Sequence, residues 1–206
     1  MQENTKDRIK EIKQSFRLYM NGVAAQSMRE KGISYKVNWG IQLPTLQRMA
    51  SLYGKDYELA TELWKENIRE CKIMAAIIMP PEKMLPDMAQ LWMEQIDNQE
   101  LAELLPFLLF HKLPYIIELA YRWMSSENKY YQIAAFNTLA RVFTQTTQLG
   151  ARDINEFLDQ TMTSLSSEDV TLRHSARNAL CKFMLIGDDY EQIARKALKT
   201  CDLVFL

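Results

Sequence analysis

Amphipathic helical segments follow one another along this chain in pairs that restart at intervals of roughly 30–40 residues, with almost no strand signal between them. IQLPTLQRMASLYG (Ile41 to Gly54) precedes DYELATELWKEN, IRECKIMAAIIM precedes PEKMLPDMAQLWMEQI, and NQELAELLPFLLF precedes LPYIIELAYRWM. ENKYYQIAAFNTLARVFTQ with DINEFLDQTMTSL, then EDVTLRHSARNALCKFML with DYEQIARKAL, continue the series. A pair this short cannot bury its own apolar face, so neighbouring pairs must stack. The expected fold is all-α, an α-α superhelix (α-solenoid) of HEAT-like helix pairs. Its first helices, starting near Ile41, Ile68, Asn98, Glu127 and Glu168, should line one concave wall.

The punctuation fits this reading. Gly54 and Gly187 follow helical patterns, where a residue tolerant of positive φ suits the C′ position. Asp97 with Glu100, and Asp188 with Glu191, have capping-box spacing. Pro44, Pro86 and Pro114 lie near helix starts, where a missing N–H costs little. Trp64, Trp92 and Trp123 recur near the ends of second helices and, with the methionines, are expected to form the core between repeats.

With 206 residues, 48% hydrophobic content and no low-complexity linker, residues 1–206 read as a single HEAT-like domain. No apolar run reaches the roughly 20 residues that cross a bilayer, and the polar opening QENTKDRIKEIKQ is not a signal peptide. A cytoplasmic protein without membrane contact, acting as a monomer, is therefore expected. The apolar tail LVFL has no assigned role. Cys71, Cys181 and Cys201 are widely spaced with no CxxC, and only His111 and His174 accompany them, so neither a disulfide framework nor a metal site is expected, and no cofactor. No Ser-His-Asp order or Gly-rich phosphate loop is present.

Net charge is −1, but the charge is uneven. Residues 1–72 carry 13 Lys/Arg against 9 Asp/Glu, residues 73–160 carry 6 against 11, and residues 161–206 carry 6 of each. A nucleic-acid surface must then be a local stripe. Residues three or four apart on successive first helices supply candidates: Arg48; Arg69 with Lys72; Gln99 with Glu103; Lys129 with Gln132; and Arg173 with Arg177, beside which His174 is placed for phosphate contact.

YKVNWGIQLPTLQRMA (Tyr35 to Ala50), followed by LATELWKENIRECKIMAAIIM (Leu59 to Met79), resembles the entry segment of the AlkD-like DNA alkylation repair family, with its Gly-Val/Ile-x-x-Pro-x-x-Arg/Lys-like motif, LW segment and Arg/Glu helix start. The helical spacing downstream is also similar. The resemblance implies HEAT-like repeats cradling duplex DNA and, in catalytic members, a glycosylase that removes cationic N3- or N7-alkylated purines. Those members use a Trp, an Asp four residues later on the same helix, and an Arg on the next first helix. Here the Trp position resembles Gln99, the Asp position Glu103, and the Arg position Gln132 or Ile133. A glutamine cannot stack against a developing cation, and neither Gln nor Ile holds a phosphate by charge. The resemblance thus implies binding of duplex DNA, alkylated or structured, with little or no excision. Two alternatives stand beside it: an active glycosylase resting on Glu103, and a protein-binding scaffold.

Overall fold

The computed structural model describes residues 2–146 and 148–201, the side chains of residues 2 and 3 excepted. The apolar tail at 203–206 lies outside the described residues. The described residues form α-helices with short 3-10 turns at Pro81–Lys83 and Phe110–Lys112 and no strand; a single parallel bridge joins Val37 to Ile68. Contacts cluster into two compact units, residues 1–85 and residues 86–206.

The first unit holds α1 (Gln2–Phe16), α2 (Gly22–Glu30), α3 (Leu43–Ser51), α4 (Tyr57–Lys65) and α5 (Arg69–Ile78). The polar opening of the sequence is α1. Few of its fifteen residues are apolar, yet Ile9, Ile12 and Phe16 recur at intervals of three and four and are buried. Burying each such side chain is worth about 1.5–3 kcal/mol, enough to hold a helix of low average hydrophobicity. α1 packs on α4, and α5 receives both α3 and α4. Arg8 reaches Asp56, the N-cap of α4, at 2.6 Å and ties the two helices together.

The second unit holds α6 (Pro86–Glu94), α7 (Gln99–Leu108), α8 (Ile116–Met124), α9 (Lys129–Phe143), α10 (Ala151–Leu165), α11 (Val170–Met184) and α12 (Asp188–Thr200). α9 is central: α7, α8 and α11 all pack against it. Phe143 and Phe183 close on Phe157 edge-on and tilted, at 4.9 and 5.0 Å between ring centroids, and Tyr190 of α12 meets Phe183 at 5.2 Å. Trp92 and Trp123 are each 1% exposed here, as Trp64 is 3% exposed in the first unit, so the recurring tryptophans are core.

The first helices of the pairs, α3, α5, α7, α9 and α11, begin within two residues of the expected starts. Gly54 has φ +65°, the left-handed region that favours glycine, but it stands two residues past Leu52, the C-cap of α3, and not at C′. Gly187 does not behave as expected: its φ of 172° is extended, and it precedes α12 as N-cap rather than ending α11. The proposed capping boxes are also corrected. Asn98, not Asp97, caps α7, its side chain accepting from Leu101 N at 3.1 Å while its amide donates to Asp97. Asp188 lies inside α12, where its charge sits at the positive end of the helix dipole.

Candidate nucleic-acid interface

Three caps position the site. Asn98, Asn128 and Asp169 each accept hydrogen bonds from the first turn of the helix that follows, fixing the N-terminal ends of α7, α9 and α11. α9 packs between the other two. At these ends Lys129 Nζ lies 2.9 Å from Asp169 Oδ2. Gln99 Nε2 donates to Glu103 Oε1 at 2.8 Å, and Thr171 Oγ1 donates to Gln99 Oε1 at 3.1 Å. The last bond joins α7 to α11, the two helices flanking α9, so their side chains meet across its first turn.

This chain of bonds settles the state of Gln99. Its carboxamide oxygen accepts from Thr171 and its nitrogen donates to Glu103, so both ends of the group are partnered. Glu103 is exposed, with one carboxylate oxygen taken by Gln99. Gln132 is half-buried on α9, whereas Ile133 is 1% exposed and belongs to the core. Of the two positions that the resemblance offered for an arginine, Ile133 is therefore core, and Gln132 is uncharged.

The cations differ in how far they are already engaged. The hydrogen bond from Lys129, with backbone N–H groups of Leu172 and Thr171, holds the Asp169 carboxyl below the ordinary carboxylate range, and Asp169 in turn raises the Lys129 ammonium. Arg173 is half-buried and donates to Ser167 O in the turn before its own helix. His174 and Arg177 are exposed on α11, as Arg48 is on α3 of the first unit.

Arg69 is a correction. It is 3% exposed, its guanidinium donates to Ile41 O at 2.9 Å and to Glu70 Oε1 at 3.0 Å, and it cannot reach a phosphate. Glu70, wholly buried, also accepts from the backbone N–H groups of Trp39 and Ile41. Gly40 between them has φ +71°, and a Cβ there would stand 2.1 Å from Asn21 O. Lys72 likewise works inside its unit, its ammonium donating to Trp64 O and lying 4.3 Å from the Trp64 ring centroid. The segment around Gly40, Ile41, Arg69 and Glu70 is thus scaffold: it ties the loop before α3 to the start of α5.

A further part of the site is not evident from the sequence. Gln99, Glu103 and Phe107 succeed one another at intervals of four along α7 and are all exposed, and Arg141 of α9 stacks on Phe107 at 4.2 Å from its centroid. An aromatic and an arginine thus stand one turn beyond the carboxylate. The i, i+4 spacing of Glu103 and Phe107 is visible in the sequence; the pairing of Phe107 with Arg141, 34 residues on, is not.

Elsewhere, burial pushes the Cys71 thiol up to about 12, so it is an apolar filler rather than a nucleophile. Among the described residues no cluster of His, Cys, Asp and Glu could hold a metal ion, and no helix is long and apolar enough to cross a membrane.

A solved structure described as belonging to "a new family of proteins related to the HEAT-like repeat DNA glycosylases with affinity for branched DNA structures" superposes on 92% of this chain and 81% of its own, with a TM-score of 0.81 at 14% identity. The fold is shared. No curated protein matches the sequence. The sequence model of the family described as "DNA alkylation repair enzyme" matches residues 12–182, most of the chain's length, and the chain belongs to that DNA alkylation repair family.

Proposed function

We propose that this protein binds structured duplex DNA without excising alkylated bases. The observation that carries the reading is the hydrogen-bonded Gln99. Its carboxamide, held between Glu103 and Thr171, occupies the position where the resemblance implies a stacking aromatic in catalytic members. A glycosylase must stabilise positive charge growing on the deoxyribose as the base departs. An amide lacks the negative aromatic face that attracts such a cation, and Gln132 offers no charge to the adjoining phosphate. Loss of one such group can reduce a rate by about a hundredfold or more.

Binding makes lesser demands. A duplex carries closely spaced phosphates, and exposed cations recruit it by releasing counterions. Arg48 and Arg177 are exposed, and Arg141 is presented on Phe107. The affinity for branched DNA ascribed to the similarly folded protein family supports DNA, and structured DNA in particular, as the ligand.

The test is to incubate the protein in excess with duplex containing 7-methylguanine, quantify freed base by chromatography, and measure affinity for the same duplex in parallel. Binding without base release above background is expected. Release that disappears in Glu103→Gln would restore the glycosylase reading, and absence of DNA affinity at low salt would favour a protein-binding scaffold.

A further inference from the structure

α1 sorts its charges in a way its sequence conceals. At 100° per residue, Lys6, Lys10 and Lys13 fall within an arc of about 60°, with Arg17 following in the turn that ends α1; Asp7 and Glu11 fall on another arc, and Ile9, Ile12 and Phe16 on a third, buried one. Lys6, Lys10 and Arg17 are exposed, and Lys13 pairs with Glu66 at 2.8 Å. From Lys6 to Lys13 the row is about 10 Å long at 1.5 Å rise per residue, and Arg17 continues it. It borders a cleft of about 610 Å³ whose lining includes Trp39, Ile68 and Lys65.

Past Arg17 the chain turns apolar while remaining in water. Leu18 is 81% exposed, Tyr19 46%, Met20 60% and Val23 81%. Four large apolar side chains exposed within six residues are not the scattered exposure common on protein surfaces. Nor is the turn that carries them slack. Asn21 N donates to Trp39 O at 2.8 Å, the Asn21 side chain caps α2 through Ala24 N, and Gly40 lies so close to Asn21 O that no side chain fits between them. The tip is clamped from behind while its side chains point outward.

Cations followed by apolar groups match the end of a DNA strand in a DNA-binding chain. Phosphates along a strand meet the row, and an apolar tip at its end needs a flat apolar face. In a continuous duplex every base face is stacked; at a branch or an end the last pair is open. We propose that α1 and the turn behind it read DNA junctions: Lys6, Lys10 and Arg17 hold the phosphates of one strand, and Leu18, Tyr19 and Met20 pack against the base pair exposed at the branch. This rests on the DNA-binding reading above and gives it a structural preference seated wholly in the first unit.

The experiment compares a three-way junction with a dumbbell duplex closed by loops at both ends and matched in phosphate number, by fluorescence anisotropy of the full chain across a salt series. Wild type is expected to prefer the junction by about tenfold. Leu18→Ser with Met20→Ser should bring that ratio near one and leave dumbbell affinity unchanged. Lys6→Ala with Lys10→Ala and Arg17→Ala should weaken both ligands and flatten the log–log salt slope by about 2.7, three phosphate contacts at 0.9 each. These side chains are exposed, so folding, checked by circular dichroism, should be retained. A 2-aminopurine at the branch should change emission with wild type and not with the tip variant. An unchanged junction ratio in the tip variant, or an unchanged slope in the charge variant, overturns the proposal. A dimer seen by sedimentation and lost in the tip variant, with junction preference intact, would give the surface to a second copy of the chain. If Arg177→Ala weakens dumbbell binding while the α1 variants match wild type, DNA binding stands and the junction element falls. If wild type binds neither DNA, both fall.

Discussion

Replacing Arg69 with alanine separates two roles that a charged residue at a helix start can have. Arg69 is 3% exposed and Glu70 is wholly buried, with 3.0 Å between guanidinium and carboxylate. Removing the arginine leaves a buried carboxylate without its cation and Ile41 O without its side-chain donor. Breaking a buried pair from one side costs about 3–5 kcal/mol. At about 2.1 cal/mol/K of unfolding entropy per residue, a chain of this length loses roughly 2.3 °C of Tm per kcal/mol, which gives a fall of about 7–12 °C. Differential scanning calorimetry measures this directly. DNA affinity, taken well below the transition, should be unchanged, because the guanidinium faces Ile41 and Glu70 and not solvent. A variant that keeps its Tm but loses affinity would refute the assignment and return Arg69 to the phosphate-binding residues.

Gly40→Ala should destabilise the first unit by more than about 2 kcal/mol in urea unfolding, since the new Cβ would meet Asn21 O at 2.1 Å with φ at +71°. Asp169→Asn should cost stability at neutral pH but not in acid. The folded state holds the Asp169 carboxyl below its usual range, so its contribution is present above about pH 4 and is lost as pH falls through the folded value; stability curves of the variant and wild type should converge below that point. Arg177→Ala should reduce affinity evenly across duplex sequences and flatten the salt slope by about 0.9, as expected of an exposed cation that contacts one phosphate.

The helix pairs are legible because each repeats a hydrophobic period, and the stacking that buries it follows from that period alone. α1 is harder. Its apolar positions Ile9, Ile12 and Phe16 have helical spacing, but charged neighbours hide them unless the angle of each residue is tracked separately. Gly187 shows the limit of reading glycine as a stop: a glycine before Asp-Asp serves equally well at the start of the next helix, and only the backbone angle distinguishes the two. The same holds for Asn98 and Asp97, adjacent residues that both make good caps. At the site, contacts within one helix are open to the sequence, as Gln99 with Glu103 shows. Bonds from Gln99 to Thr171 and from Lys129 to Asp169 span 72 and 40 residues and depend on how α7 and α11 close over α9.

The segment that carries the family resemblance does not carry the family's chemistry, and the structure gives a physical reason. Around Gly40 and Ile41 the chain must turn with positive φ against Asn21, present two backbone N–H groups to a buried carboxylate, and accept a guanidinium on Ile41 O. Few residue types satisfy these demands together: glycine for the turn, an acid at 70 for the N–H groups, an arginine at 69 to compensate the acid. All three are buried. Gln99, Glu103 and Gln132, in contrast, stand at or near the surface of α7 and α9, where replacement leaves packing almost untouched. A chain built this way can exchange the surface side chains of α7 and α9 without disturbing the segment by which its family is known. Exchanging Gln99 for Trp should then be tolerated by the fold and break the Thr171 bond, which makes Gln99→Trp with Gln132→Arg a direct trial of how much excision those positions withhold. Release of 7-methylguanine by that double variant, and none by wild type, is the expected outcome; an equally inactive, well-folded variant would mean that the longer reach of Glu103 also bars the reaction.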